Sequence, residues 1–118
     1  MTKEEKQLLL IDLCARLPHG VYVTYRINKD EIERATIFNG NYARDIMEGR
    51  SMWIDFKPHL RSMSNMTEEE KKEYGEIIRF KPIYAIIDWL NKHMFDYRGL
   101  IPMGLAIEAN EGVYNTKQ

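Results

Sequence analysis

Val21-Tyr22-Val23-Thr24-Tyr25-Arg26-Ile27 alternates between two kinds of side chain. One face carries Val21, Val23, Tyr25 and Ile27; the other carries Tyr22, Thr24 and Arg26. A period of two predicts a half-buried β-strand. Asn28-Lys29-Asp30-Glu31 then reads as a turn. Residues 32–38 read as a second strand, the hairpin partner of the first, and Asn39-Gly40-Asn41 ends it. Alternation returns over residues 50–56, with Met52, Ile54 and Phe56 on one face and Trp53 and Asp55 on the other. This predicts a third strand, closed by Lys57-Pro58. Residues 41–50 fit either a helical turn or a loop.

Helical signals flank these segments. Thr2 and Glu5 have the spacing of a capping box, in which the hydroxyl accepts from the Glu5 amide and the carboxylate accepts from the Thr2 amide. Leu9, Leu10, Leu13, Cys14 and Leu17 fall on one broad face at helical spacing, and Pro18 stops the helix. Thr67 and Glu70 repeat the capping box. Glu68, Glu69 and Glu70 suit the positive end of a helix dipole. Tyr74, Ile77 and Ile78 form a narrow apolar stripe on this second helix, which runs to about residue 79. Pro82 suits a helix start. Beyond it Ile83, Ile86, Ile87, Leu90 and Met94 form a stripe at i, i+3, i+4, i+7 and i+11. Segregated strands and helices predict an α+β domain: a small antiparallel sheet of two to three strands with about three helices packed on it. Residues 1–118 form one domain, with a polar, frayed tail from Asn110.

The chain carries 17 basic and 18 acidic side chains, a net charge of −1. Such a balance gives no global field to steer DNA or an anionic membrane. The single cysteine, Cys14, excludes an intramolecular disulfide and fits a reducing compartment. Within its run of leucines it reads as a buried small hydrophobe. Leu8-Leu9-Leu10-Ile11 is too short for a signal peptide, and no stretch approaches the ~20 apolar residues of a membrane span. The expected location is the cytoplasm, with no membrane partner.

His19, His59 and His93 have no second histidine or cysteine at metal-ligand spacing, and phosphate-loop and GxSxG signatures are absent. No cofactor is expected. Two segments carry candidate chemistry. In residues 57–66, read as a polar loop, Lys57, His59 and Arg61 alternate, and Arg50 lies upstream. Alternating cations on an extended segment point the same way and can grip a phosphate or carboxylate. Tyr22, Tyr25 and Trp53 could add stacking surface. The competing reading is a solvated loop anchored by Met63 and Met66 that leads into a capped helix. In Asp96-Tyr97-Arg98-Gly99, an Asp–Arg pair and an Asx-type bond can lock a turn, or Arg98 can be presented to a partner. His93 and Asp96 could orient a base, although capping a helix end is the simpler role.

Three stretches have a joint resemblance: LIDLCARLPHGV at 10–21, KPHLRSMSNMTEEE at 57–70, and DWLNKHMFDYRGLI at 88–101 with GLAIEA at 104–109. Together they resemble a family of small uncharacterised proteins encoded by gut Bacteroidetes and their phages. The resemblance implies a bacterial or phage cytoplasm, with a mobile element as one setting. It assigns no functional residue.

Without a complete catalytic constellation, the leading expectation is a non-enzymatic binding or interaction module. Its candidate binding residues are Arg50, Lys57, His59, Arg61 and Arg98, and a protein partner is favoured over nucleic acid. One alternative is a small enzyme acting on a phosphorylated or nucleic-acid substrate, drawing on His59, Arg61, His93, Asp96 and Arg98. Another is a homo-oligomer or structural subunit, with an exposed apolar patch around Trp53, Trp89 or Tyr97.

Overall fold

The computed structural model describes residues 2–26, 34–47, 54–109 and 113–114. Helix α1 spans Lys3–Arg16, and the capping box forms as read: the Thr2 hydroxyl accepts from the Glu5 amide and the Glu5 carboxylate accepts from the Thr2 amide. A 3-10 turn over Leu17–His19 follows, and Gly20 closes it at a positive φ of 76°. The core-facing line on α1 is Leu9, Leu13 and Arg16, at i, i+4 and i+7, with Asp12 beside it. Cys14 lies about 100° around the helix from Leu13 and is exposed. The expectation of a buried cysteine is therefore corrected.

Strands β1 (Tyr22–Arg26) and β2 (Arg34–Ile37) form the expected antiparallel hairpin, with Tyr22 opposite Ile37 and Thr24 opposite Ala35. The turn read at 28–31 lies outside the described residues. Val21, Val23 and Phe38 are buried on the core side. Asn39 does more than end β2. Its side-chain oxygen accepts from the amides of Asn41 and Tyr42, which starts helix α2 (Gly40–Met47).

Strand β3 (Ile54–Leu60) pairs antiparallel with β1, and β4 (Ile107–Glu108) pairs parallel with β3. The sheet order is β2-β1-β3-β4. The α+β reading holds, but among the described residues the sheet is mixed and has four strands rather than two to three. Among the described residues, four α-helices accompany it rather than about three. Lys57-Pro58 does not close β3. The Leu60 carbonyl accepts from the Ala109 amide, so strand alternation aims Pro58's nitrogen toward the same edge. The two residues of β4 pair with His59 and Leu60. Proline's missing N–H therefore costs no ladder bond.

The long β3–β4 connection contains a 3-10 turn (Met63–Asn65), α3 (Glu68–Phe80) and α4 (Ile83–Lys92). The second capping box also forms, between Thr67 and Glu70. Helix α4 ends in a Schellman motif: the Phe95 amide donates to Leu90 O and the Met94 amide to Asn91 O. Met94 takes the left-handed position, with φ 61°, where glycine is the usual occupant. Its burial in the main core offsets that strain. The motif turns the chain so that residues 94–96 run beside Arg61: the Arg61 amide donates to Met94 O and the Asp96 amide to Arg61 O.

Among the described residues, two apolar clusters result. The larger lies between the sheet and α1, with Leu13, Val23, Phe56 and Leu60 among its members. The smaller joins α3 and α4 around Trp89, Leu90 and Phe95. Tyr114 anchors the end of the described chain. Its hydroxyl donates to His59 O at 2.7 Å and accepts from the Tyr22 amide at 2.9 Å. Burial pushes its phenol up to about 12. An unfolded tyrosine ionises near 10, so the stabilisation that requires the neutral phenol is complete below pH ~10 and lost as pH rises through ~12. Tyr114→Phe is expected to lower stability by about 1–2 kcal/mol in urea unfolding at pH 7. Its stability should also fall less steeply than the wild type's between pH 10 and 12.

Candidate functional site

The strip Lys57, His59 and Arg61 lies on an extended segment, as the alternation required, but the segment is mostly strand rather than loop. Phe56, Pro58 and Leu60 point into the core from the other face. Lys57 is half-buried. His59 Nε2 is hydrogen-bonded to the Thr24 hydroxyl, from the neighbouring strand. Arg61 is buried and meets Glu70 in a two-pronged pair, Nη1–Oε2 at 2.8 Å and Nη2–Oε1 at 2.6 Å. Its guanidinium also lies 4.2 Å from the centre of the Phe95 ring. An arginine whose fork is already filled by a carboxylate is not available to grip a phosphate. Arg50 and Trp53 lie outside the described residues. Tyr22 and Tyr25 occupy opposite faces of β1 by their spacing, so they do not form one stacking platform.

Glu70 has two duties. Its carboxylate also accepts from the Thr67 amide at 2.9 Å, completing the cap of α3. Burial alone would push this carboxyl up. The hydrogen bonds from Arg61 and Thr67 outweigh it and hold the group below its ordinary value. His93 Nδ1 lies 3.4 Å from the same carboxylate, and its ring is 4.4 Å from Trp89. Burial lowers the His93 pKa, against the opposing pull of Glu70 and Glu73.

Arg98 belongs to a second brace. Asp12 and Arg16 are fully buried and paired through Nε–Oδ2 at 2.9 Å and Nη2–Oδ1 at 3.1 Å. Arg98 Nη1 reaches the same carboxylate at 2.7 Å. Arg16 also donates to Phe95 O at 2.7 Å, tying α1 to the end of α4. The Tyr97 ring lies within cation–π range of both guanidiniums. The expected Asp96–Arg98 pair does not form. Asp96 instead accepts from the amides of Leu100 and Ile101, the Asx-type half of the expectation. The five residues of the enzyme reading thus have separate tasks: Arg61 and His93 share Glu70, while His59, Asp96 and Arg98 each engage a different group.

Among the described residues, a group of exposed apolar side chains lies at the end of α3 and on α4. On α4, Ile83 is 69% exposed, Tyr84 75% and Ile87 38%, and Phe80 at the end of α3 is 77% exposed. Ile83 and Ile87 are one helical turn apart, and Tyr84 lies between their row and Asp88. The adjoining side of α4 packs inward through Ile86, Trp89 and Leu90, with Leu90 two turns on from Ile83 along nearly the same line. The stripe read from the sequence is therefore split: Ile86 and Leu90 serve the core, and Ile83 and Ile87 face outward. The patch expected around Trp89 or Tyr97 is not there, since Trp89 is buried and Tyr97 half-buried. A signal was present in the composition of α4, which is apolar at 83, 84, 86, 87, 89 and 90 and so exceeds one core-facing stripe.

Among the described residues, no group of three His, Cys, Asp or Glu side chains could hold a metal ion. No described helix is long and apolar enough to cross a membrane. No protein-family model matches this chain, and neither the curated proteins nor the solved structures give a significant match.

Proposed function

We propose that this protein is a small, non-enzymatic interaction module of a bacterial or phage cytoplasm that binds a protein partner through the outer face of α4. One observation carries the reading: Ile83, Tyr84 and Ile87 are exposed together on a helix whose neighbouring apolar residues, Ile86, Trp89 and Leu90, are already packed. Contiguous exposed apolar surface marks interaction sites in soluble domains, and tyrosine with aliphatic neighbours is a common interface composition. Two of the candidate cations support the same choice by their occupation. Arg61 and Arg98 are bound to carboxylates within the fold, which leaves the apolar face as the better-equipped surface.

The test is a photo-crosslinking amino acid placed at position 84 in living cells. A discrete covalent protein adduct is expected on irradiation. A chain that forms no adduct from this position would overturn the reading.

A further inference from the structure

We infer that the α4 face receives a second copy of this chain, packed antiparallel on its own α4 about a two-fold axis. This inference rests on the interaction reading above and names its partner. Three observations support it. The first is symmetry of content. A two-fold axis level with Ala85 sets Ile83 against Ile87 of the second copy, and Ile87 against Ile83. The same two side chains then serve both halves of one self-complementary contact. Ridges formed by residues four apart are the commonest basis for helix-on-helix packing.

Charge complementarity is the second. Lys81 is exposed just before α4, and Asp88 is exposed one residue beyond Ile87. Antiparallel pairing brings each Lys81 toward Asp88 of the other copy. Parallel pairing would set Asp88 near Asp88 and Lys81 near Lys81, which like charges disfavour. Asp88 also lies 3.4 Å from His19 of its own chain, but its side chain stays 71% exposed, so the carboxylate is still open to a second cation.

The third is area. Phe80, Ile83, Tyr84 and Ile87 together expose on the order of 500 Å² per copy, so two copies have at most roughly 1,000 Å² of this surface to bury, the lower bound of a specific interface. Such a contact suits a reversible dimer that dissociates on dilution.

Sedimentation equilibrium of the full chain tests the inference. The wild type is expected to rise with concentration from 14.0 kDa toward twice that mass. Ile83→Glu should weaken association at least about tenfold with an unchanged far-ultraviolet circular dichroism spectrum. Lys81→Glu and Asp88→Lys should each weaken it about fivefold, and the two together should restore it to within about twofold. A chain that stays monomeric at every concentration overturns the inference. So does a dimer indifferent to Ile83→Glu, or a charge exchange that fails to restore association. A monomeric chain that still crosslinks from position 84 to a different protein removes the second copy as occupant and leaves the interaction reading standing. A monomeric chain with no adduct removes both.

Discussion

Arg61→Ala is expected to lower the free energy of unfolding by about 3–5 kcal/mol, because it leaves a buried carboxylate without its cation. The substitution removes both prongs of the pair with Glu70 and the cation over the Phe95 ring. It also removes longer contacts, 3.4 Å each, to the carbonyls of His93 and Asn65. Those contacts join β3, the turn before α3 and the end of α4. A domain of this length has on the order of 6–18 kcal/mol in total, so the loss is a large share. Urea unfolding at pH 7 measures it. The pH dependence gives a second readout. In the wild type the Glu70 carboxyl is held below its ordinary value, so its contribution is present above pH ~4.5 and is lost as pH falls through the folded pKa. Arg61→Ala should lack most of that acid-side loss. Arg61→Met combined with Glu70→Gln should cost less than Arg61→Ala alone, because no charge is then stranded. A cost below about 1 kcal/mol for Arg61→Ala would show that the pair is not a brace.

Asp12→Ala is expected to cost a similar ~3–5 kcal/mol by the converse route. It strands Arg16, which is fully buried, and places two guanidiniums near each other without the carboxylate between them. Arg98→Ala should cost only about 1–2 kcal/mol. Arg98 is partly exposed, and its removal leaves the Asp12–Arg16 pair whole. The ranking is the discriminating result. If Arg98→Ala matched Asp12→Ala, Arg98 rather than Arg16 would be the principal partner of the carboxylate.

The parts of the fold that were legible in the sequence are those whose signals are local. Thr2 with Glu5, and Thr67 with Glu70, mark the starts of α1 and α3 because a capping box closes within four residues. The alternation around Val23 marks β1 for the same reason. Strand β4 has no such signature. Its two residues become a strand only by pairing with His59 and Leu60 after two helices have intervened. Helix α2 was obscured because Asn39 both ends β2 and caps the helix, and a breaker residue shows only the first role in sequence.

The candidate site divides along the same line. The alternation correctly aligned Lys57, His59 and Arg61, but their partners are tertiary. Nothing adjacent to Arg61 announces that Glu70, nine residues on, will fill its fork. The spacing of four between Asp12 and Arg16 permits an ion pair on α1, but nothing local says that the core will bury it in place of Cys14. On α4 the apolar stripe was visible, but which part of it the core would use was not. The answer depends on where α3 and the Phe95 turn pack against the helix.

Photo-crosslinking from two positions in the same cells, Tyr84 on α4 and Lys57 on β3, decides between the apolar face and the cationic strip. An adduct from position 84 and none from position 57 is the expected result. An adduct from position 57 alone would contradict it and assign the binding function to the face of β3 that carries Lys57 and His59.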